Sequence, residues 1–238
     1  MEILANKNVL IVGATGGIGS EAARLIKSSG AGVFIAGRDQ NKLNALTETL
    51  QIPAENAFSL DITNTNEVEY VAQAIHTRIG QLDILINAAG IGIIHPLETL
   101  SYEAFNQVID VNLRGTFHLL KAFLPPMKEA KKGLIINIPG VLGKTPMAGA
   151  AAYAASKYGI DGMVKSIREE LKRTNVRITN LYLGGTDTPF WDEIDLRVDR
   201  TKFVTAKEAA RAVWFLCQQP SSGVVSEMVI QPFNHQAI

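Results

Sequence analysis

Strand-like and helix-like segments alternate along nearly the whole chain, and this alternation limits the fold more than any other feature of the sequence. Short apolar runs are separated by longer stretches with helical periodicity. Most runs are apolar at successive positions, as expected of strands buried on both faces of a parallel sheet. Seven strands are predicted, at Val9–Val12, Val33–Ala36, Asn56–Leu60, Leu82–Ile86, Leu134–Ile138, Val176–Tyr182 and Val224–Ile230.

Helix-start signals support the helices that are predicted between these strands. Asn64 and Thr205 each precede a glutamate by three residues, which is the spacing of a capping box. Asp39 is predicted to cap the second helix. Pro125 and Pro126 are expected to bend or end the fourth helix. The helices are predicted near residues 17–29, 40–50, 64–79, 101–130, 150–173 and 205–217.

This alternation predicts an α/β protein: a single-domain Rossmann-type fold with a doubly wound parallel sheet of about seven strands flanked by helices. The chain has 238 residues, of which 47% are hydrophobic and 19% charged, and this composition suits one large globular core. We find no internal repeat, low-complexity tract or linker, so residues 1–238 are expected to form one domain.

Charge and composition exclude several functional classes. The formal net charge is zero, so the chain lacks the basic footprint of a nucleic-acid or anionic-membrane partner. Cys217 is the one cysteine, and the four histidines are scattered, so neither a disulfide nor a metal site is expected. No apolar run reaches the ~20 residues of a membrane span. The first residues lack a signal-peptide pattern, and a cytoplasmic location is expected.

A glycine-rich turn follows the first predicted strand and leads into the first helix. It reads Gly13-Ala14-Thr15-Gly16-Gly17-Ile18-Gly19. Glycines permit close approach of a pyrophosphate to the backbone, and the helix N-terminus supplies unpaired N–H groups. The spacing Gly-x-x-x-Gly-x-Gly differs from the common Gly-x-Gly-x-x-Gly fingerprint. Its position after a strand favours dinucleotide binding, and a purely structural turn is the alternative.

Arg38 follows the second predicted strand, where dinucleotide-binding folds read the cofactor's ribose. A guanidinium can pair with the 2′-phosphate of NADP through charge-assisted hydrogen bonds. The sequence therefore predicts NADP(H). The alternative is that Arg38 is a solvated charge and Asp39 reads the ribose hydroxyl, which would favour NAD(H).

Tyr153 and Lys157 are four residues apart in Tyr-Ala-Ala-Ser-Lys, so they lie on one helix face. A free Tyr has a pKa of about 10. A cation at roughly 4 Å is worth about 4 kcal/mol at an effective dielectric constant near 20, which is about three pKa units. We therefore expect Lys157 to lower the pKa of Tyr153 and make it an acid/base catalyst near neutral pH. Alone, the pair could also be an ordinary helix surface.

Further motifs occur in a fixed order along the chain. They are Gly13, Gly17 and Gly19; Asp61 after the third strand; Asn87-Ala88-Ala89-Gly90 after the fourth; Asn112; Tyr153 and Lys157; and Gly184 to Thr188 after the sixth strand. In this order and spacing, the chain resembles the short-chain dehydrogenase/reductase family over essentially its full length.

The resemblance implies a role for each motif. Lys157 would bind the nicotinamide ribose, and Asn112 would hold a water that relays protons; the alternative for Asn112 is a side chain that bonds its own helix backbone. The implied catalytic residues are Tyr153, Lys157 and Asn112. The implied cofactor contacts are Gly13, Thr15, Gly17, Ile18, Gly19, Arg38, Asp61, Ile62, Asn87, Ala88, Ala89, Gly90, Tyr153, Lys157, Gly184, Thr186 and Thr188.

Three positions depart from the family pattern. Val12 stands where Thr is usual, and Leu183 where Pro is usual. Gly140, thirteen residues before Tyr153, replaces the serine whose hydroxyl supports the substrate carbonyl. Losing one such donor typically costs about 10²–10³ in rate. A backbone N–H or the hydroxyl of Thr145 could substitute for it.

The implied function is an NADP(H)-dependent oxidoreductase that interconverts a small-molecule carbonyl and alcohol, with residues 1–238 as a single dinucleotide-binding and catalytic domain. The alternative is a weakly active or inactive NADP(H)-binding regulatory or scaffold protein. The predicted substrate pocket comprises Gly140, Leu142, Met147, Phe190 and Trp191, although the two aromatic residues could instead pack only on the sheet edge. A homodimer or homotetramer is expected, with contacts through helices 101–130 and 150–173.

Overall fold

Nine strands form the β-structure in the computed structural model, which describes residues 4–194 and 196–234. Seven of them make one parallel sheet with the order β3-β2-β1-β4-β5-β6-β9, and the other two, β7 and β8, pair only with each other. The strands are β1 (Asn8–Val12), β2 (Gly32–Gly37), β3 (Ala57–Ser59), β4 (Ile84–Asn87), β5 (Gly133–Asn137), β6 (Val176–Leu183), β7 (Thr186–Asp187), β8 (Val204–Thr205) and β9 (Glu227–Ile230).

Within the same described residues, seven α-helices connect and cover these strands. A π-helix at Ile109–Arg114 joins the fourth helix directly to the fifth. Short 3₁₀ turns occur at Ala54–Asn56, Val141–Gly143, Pro189–Glu193 and Arg200–Lys202. The helices are α1 (Gly17–Ser28), α2 (Gln40–Leu50), α3 (Thr65–Ile79), α4 (Tyr102–Val108), α5 (Gly115–Glu129), α6 (Ala151–Leu171) and α7 (Ala206–Cys217).

Each face of the sheet has its own hydrophobic core, because successive strand residues point to opposite faces. Val9 and Ile11 pack with the buried faces of α1, α2 and α7. Leu10 and Val12, one position along, pack with α3, α5 and α6. Each fully buried aliphatic side chain contributes about 1.5–3 kcal/mol. The predicted α/β fold with a doubly wound parallel sheet of seven strands is confirmed.

The direction of the strand order reverses between β1 and β4, since β2 and β3 lie on one side of β1 and all later strands of the sheet on the other. Parallel sheets of this kind bind ligands in the crevice at the carboxyl ends of the strands next to such a reversal. The topology therefore places the candidate site where β1 and β4 end.

Strand boundaries differ from the predicted ones by a few residues. The largest difference is in the last strand, which begins at Glu227 and not at Val224. Both backbone groups of Val225 are hydrogen-bonded to side chains and not to a neighbouring strand. Its N–H donates to Gln219 Oε1 at 2.8 Å, and its carbonyl accepts from Thr179 Oγ1 at 2.7 Å. The pairing of β9 with β6 therefore begins only at Glu227, opposite Asn180.

The fourth predicted helix does not end at Pro125 or Pro126, because α5 continues through both to Glu129. A proline inside a helix removes a backbone hydrogen bond and typically costs about 3 kcal/mol. The neighbouring Leu124 and Met127 are buried against the sheet. Their burial offsets that cost and keeps this turn helical.

The predicted helix caps are largely present. Asp39 Oδ1 accepts from the Lys42 amide at 3.0 Å. Thr205 and Glu208 form a complete capping box. Asn64 accepts from the first-turn amides of α3, but its partner Glu67 bonds the Asp61 amide at 2.8 Å instead of the Asn64 amide. That box is therefore incomplete.

Large aromatic side chains are exposed on α4, α5 and α6, the helices expected to mediate self-association. They are Tyr102, Phe105, Phe117 and Tyr158. The homodimer or homotetramer stays a prediction.

Across residues 4–194 and 196–234, no helix combines the length and the apolar character that a membrane span requires.

The capping box of α7 yields a stability prediction. Thr205→Ala removes the hydroxyl that accepts from the Glu208 amide at 3.2 Å. We expect the free energy of unfolding to fall by about 1 kcal/mol, within 0.5–2 kcal/mol, when measured by urea denaturation. Thr49→Ala is the control, because the exposed Thr49 hydroxyl bonds only its own helix at the Ala45 carbonyl. An equal effect of both substitutions would contradict the capping role.

Candidate active site

The candidate site is built on the carboxyl ends of β1, β4, β5 and β6. Val12, Asn87, Asn137 and Asn180 are paired across these four strands in one register row. Their side chains lie on the α5–α6 face of the sheet, as those of Leu10 and Leu85 do, two residues earlier. The segments that follow the strands therefore meet in one crevice.

The glycine turn requires glycine because the backbone of the next strand lies against it. Gly13 has φ +78°, and a Cβ there would lie 2.7 Å from the Ala88 carbonyl carbon. At Gly19, a Cβ would overlap the Gly13 carbonyl oxygen. Gly16 is the N-cap of α1 and makes no side-chain cap hydrogen bond. The first turn of α1 thus offers backbone N–H groups that a phosphate can accept from.

The segment after β6 packs directly over this turn. A Cβ at Gly17 would lie 2.7 Å from Thr188 Cγ2. Thr186 and Thr188 are both buried, and their hydroxyls donate to the carbonyls of Gly184 at 3.0 Å and Thr186 at 3.4 Å. The structure therefore brings Thr188 to the glycine turn.

At the end of β2, Arg38 and Asp39 differ in their surroundings. Arg38 is exposed beside the crevice, and Gly37 before it packs on Thr15: a Cβ at Gly37 would lie 3.0 Å from the Thr15 hydroxyl. Asp39 is engaged by α2, through the Lys42 amide and an ion pair with Lys42 Nζ at 3.7 Å.

Two further predicted cofactor residues, Asp61 and Ile62, follow β3. Asp61 Oδ1 accepts from the amide and the hydroxyl of Thr63 at 2.9 and 2.8 Å. Ile62 is buried and packs on α5: a Cβ at Gly115 would lie 2.6 Å from its side chain. His118 Nδ1 lies 2.9 Å from the Ile62 carbonyl oxygen. This segment is held in place by its own local bonds.

Tyr153 and Lys157 lie side by side on α6, with Lys157 Nζ 5.1 Å from the centre of the Tyr153 ring. Tyr153 is half-buried and Lys157 is only 3% exposed. Burial raises the pKa of Tyr153 above its ordinary value and lowers the pKa of Lys157 to about 8. The net direction of the Tyr153 pKa shift is opposite to the predicted lowering, because desolvation of the phenolate is the largest effect; the contribution of Lys157 stays a prediction.

Asn112 lies in the π-helix between α4 and α5 and is fully buried. Its side chain makes two bonds of 2.9 Å with the backbone of Ile91, and its Nδ2 also donates to Ser156 Oγ at 3.0 Å. The alternative of a side chain that bonds its own helix is wrong. Asn112 instead ties the segment after β4 to α6, next to Lys157.

Ser156 and Thr116 were missed by sequence reasoning, although both support the site. The Ser156 hydroxyl donates to the Tyr153 carbonyl at 2.7 Å. Thr116 Oγ1 donates to the Asn112 carbonyl at 2.6 Å and accepts from Asn87 Nδ2 at 2.9 Å. Sequence signals existed for both, since Ser156 precedes Lys157 and Thr116 follows Asn112 by one helical turn.

The floor of the crevice is polar, which sequence reasoning also missed. Asn137 and Asn180 are buried at 1% and 0% exposure. Within the described part of the chain, neither amide atom of Asn137 has a hydrogen-bond partner, nor has Asn180 Oδ1. Asn180 Nδ2 bonds Tyr182 Oη at 3.2 Å, and Tyr182 Oη donates to Asp161. The available signal was an asparagine at the end of both β4 and β5.

Gly140 adopts a conformation that excludes other residues. Its φ is +75° and its ψ 165°, a region essentially confined to glycine. A Cβ there would lie 3.9 Å from Tyr153 Oη and 3.5 Å from the Leu183 carbonyl oxygen. No other described atom outside the flanking residues is within 4 Å, so the Thr145 hydroxyl does not fill this place.

The segment that follows Gly140 is fixed to the sheet. Lys144 Nζ lies 2.6 Å from Glu227 Oε2 of β9 and 4.2 Å from the centre of the Tyr182 ring. Gly143 packs on α6, where its Cβ would lie 3.2 Å from the Lys157 carbonyl oxygen. These contacts hold Gly140 opposite Tyr153.

The predicted pocket residues occupy different places. The Phe190 ring is 6.0 Å from the Tyr153 ring and covers Gly92, so Phe190 does not pack only on the sheet edge. Trp191 donates through Nε1 to the Thr186 carbonyl at 2.9 Å and lies 5.1 Å from the Phe203 ring. Leu142 is partly buried and Met147 is 37% exposed. Their roles in a pocket stay predictions.

Acidic and histidine side chains provide no metal centre within residues 4–194 and 196–234, where no group of three or more His, Cys, Asp or Glu residues is arranged to hold an ion.

Comparison with known proteins agrees with this arrangement. The family model described as short chain dehydrogenase matches residues 7–199. An uncharacterized oxidoreductase of Staphylococcus epidermidis is 32% identical over 232 residues, covering 98% of this chain and 100% of the relative.

Solved structures are similar over the same extent. A metagenomic short-chain oxidoreductase in complex with NADP has a TM-score of 0.84 and 30% identity, with 98% of this chain and 100% of that chain covered. An alcohol dehydrogenase from the archaeon Thermococcus sibiricus, complexed with 5-hydroxy-NADP, has a TM-score of 0.87 and 27% identity, with 97% and 98% covered. With the Tyr153–Lys157 pair and the glycine turn at one crevice, this chain belongs to the short-chain dehydrogenase family of oxidoreductases.

Proposed function

We propose that the protein is an NADP(H)-dependent oxidoreductase that interconverts a carbonyl and an alcohol, with Tyr153 as the general acid/base. The observation that carries this proposal is the burial of Lys157 beside Tyr153, at the crevice that also holds the glycine turn. Burying an ammonium is costly, so its position indicates a functional constraint. A binding module would need Lys157 to hold a ribose but would not need the Tyr153 hydroxyl.

The residues of the crevice fit a nicotinamide dinucleotide. A Cβ at Gly13 would meet the Ala88 backbone, and the first turn of α1 carries N–H groups for a pyrophosphate. Lys157 Nζ lies against Gly90, because a Cβ at Gly90 would be 3.2 Å from this nitrogen. Two similar structures have NADP or 5-hydroxy-NADP bound. The dinucleotide supplies the hydride when it is bound.

The protonation state of Tyr153 favours reduction of a carbonyl. Since burial raises its pKa, the phenol keeps its proton at neutral pH. A protonated phenol can donate to the oxygen that gains negative charge as a carbonyl is reduced. Alcohol oxidation requires the phenolate, which the same burial disfavours. Lys157, with a pKa of about 8, stays largely charged at neutral pH and can stabilise that phenolate after transfer.

A second candidate function is a regulatory or scaffold protein that binds NADP(H) without turnover. Gly140 favours it, because no side-chain hydroxyl stands at the place next to Tyr153 Oη. Tight NADPH binding with no consumption of NADPH on ketones, aldehydes or quinones would support this second candidate and contradict the first.

Replacing the phenol tests the proposed acid. Tyr153→Phe keeps the ring but removes the proton donor, and we expect kcat/KM for carbonyl reduction to fall by about 10²–10⁴. NADPH affinity, measured by fluorescence titration, should change little. Tyr158→Phe is the matched control on the same helix, because Tyr158 is 44% exposed. Retained activity in Tyr153→Phe would rule out the assigned role.

Arg38 is proposed to select NADP(H) through the 2′-phosphate, since it is exposed beside the crevice while Asp39 caps α2. A charge-assisted hydrogen bond is worth about 1.5–3 kcal/mol, so Arg38→Gln should weaken NADPH binding by roughly 10- to 150-fold and leave NADH binding unchanged. Calorimetric titration of both dinucleotides provides the measurement.

Asp39→Asn provides the companion test, because Asn caps a helix as well as Asp does. We expect it to leave NADH and NADPH affinities unchanged. A loss of NADH affinity in this variant would support the alternative that Asp39 reads the ribose.

The buried Lys157 makes stability depend on pH. Its pKa is about 8 in the folded protein against 10.5 for an ordinary lysine, so between these values the unfolded chain binds more protons. The free energy of unfolding should therefore rise with pH across this window, by about 3 kcal/mol in all, whereas below pH 8 the cost of burial is fully present.

Urea denaturation at pH 7.5, 8.5 and 9.5, without added dinucleotide, measures this slope. Lys157→Met should remove it, and Lys207→Met, which changes an exposed lysine, should keep it. The same slope in wild type and Lys157→Met would show that Lys157 titrates as it does in water.

A further inference from the structure

The place beside Tyr153 Oη where a hydroxyl would polarise the substrate is open in this protein. A Cβ at Gly140 would be 3.9 Å from Tyr153 Oη, close enough for a side chain there to share a substrate oxygen with the phenol. Gly140 supplies no such side chain. Its φ of +75° and ψ of 165° also disfavour any other residue, so the loop itself is shaped for glycine.

The neighbouring hydroxyls are committed elsewhere. Ser156 donates to the Tyr153 carbonyl, and Thr186 and Thr188 donate to backbone carbonyls. Thr145 is not within 4 Å of the place that a Cβ at Gly140 would take. Of the Tyr153, Ser156, Thr186 and Thr188 hydroxyls, only that of Tyr153 is left to donate to a substrate oxygen.

The loss of one preorganised donor typically lowers the rate by about 10²–10³. An unactivated ketone would bear that whole loss, because its oxygen depends on the protein for stabilisation as charge develops. A carbonyl with an electron-withdrawing neighbour needs less help, since the neighbour already stabilises the developing charge. The missing hydroxyl thus discriminates between these two kinds of ketone.

The same gap provides room. A Cβ at Gly140 would have only the Leu183 carbonyl oxygen and Tyr153 Oη within 4 Å, while Phe190 lies 6.0 Å from the Tyr153 ring and provides an apolar wall. A flat substrate with a second oxygen beside the reacting one can use this space. A substituent next to the reacting carbonyl fits here, whereas a serine side chain at position 140 would clash with it.

We propose that the substrates are 1,2-dicarbonyl compounds and that Gly140 is the residue that determines this specificity. The inference rests on the proposed carbonyl reduction. The reacting carbonyl carbon accepts the hydride of NADPH, the π pair of its C=O bond moves to the oxygen, and this oxygen takes the proton of Tyr153. The products are an α-hydroxyketone and NADP⁺, and solvent returns a proton to Tyr153.

The first experiment compares 1-phenylpropane-1,2-dione with its two monoketones, 1-phenylpropan-1-one and 1-phenylpropan-2-one. NADPH consumption by the wild-type protein gives kcat/KM for each, and product analysis identifies the hydroxyketone. We expect the diketone to exceed both monoketones by at least ~100-fold, since about 10²–10³ is the effect of the missing donor. Monoketone turnover within ~10-fold of the diketone would overturn the inference.

A 1,2-diketone is the better hydride acceptor for any reductase, so a second experiment isolates the hydroxyl. Gly140→Ser and Gly140→Ala impose the same backbone strain and differ only in that group. With monoketones, the Ser variant should be at least ~10-fold more active than the Ala variant; with the diketone the two should agree within ~3-fold. Equal activities of the two variants on every substrate would overturn the inference.

Both variants are first checked for a cooperative thermal transition and for NADPH binding. If the strain at position 140 prevents folding of the variants, the wild-type comparison still tests the inference, because monoketone turnover within ~10-fold of that with the diketone overturns it. The failure of the proposed function looks different: NADPH binds, but neither the diketone nor any monoketone consumes it. Comparable consumption on all three ketones overturns the specificity alone and leaves the oxidoreductase assignment intact.

Discussion

The hydrogen bonds of Asn112 hold the candidate site together. A single buried amide pairs with both backbone groups of Ile91 and donates to Ser156, so it joins the segment after β4 to α6. Asn112 itself is presented by a π-helix, whose extra residue per turn displaces the backbone from the regular helix. Leaving such buried groups unpaired costs about 1–3 kcal/mol each. The position of Lys157 beside Gly90 depends on these bonds.

Burial, and not proximity of opposite charge, governs the titration of the site. Lys157 lies over the face of the Tyr153 ring, where its charge meets the π-electrons; the ammonium is buried and the phenol is half-buried. Desolvation penalises the charged form of each, so the pKa of the acid rises and that of the base falls. The pair is consequently neutral phenol and ammonium around neutral pH. This state suits a proton donor for reduction.

The fold and the positions of most chemical groups could be predicted from local pattern. The strand–helix alternation predicted the sheet, and Tyr153 and Lys157 were placed on one helix face by their spacing alone. Whether Pro125 and Pro126 would end the helix predicted near 101–130 could not be predicted, because burial of the neighbouring side chains decides it. Nor could the contacts of Phe190 and Trp191, whose rings meet edge to face at 5.5 Å while Phe190 lies against Tyr153 and Trp191 against Phe203.

By itself, the sequence determined which chemistry is available: a glycine turn for a phosphate, a phenol with a lysine one turn away, and no hydroxyl at position 140. Periodicity and spacing carry this information because they act within a few residues of each other. Only the tertiary structure decided the sign of the Tyr153 pKa shift and the conformation of Gly140. Both follow from atoms that are distant in the chain, since desolvation and backbone strain arise where separate segments pack together.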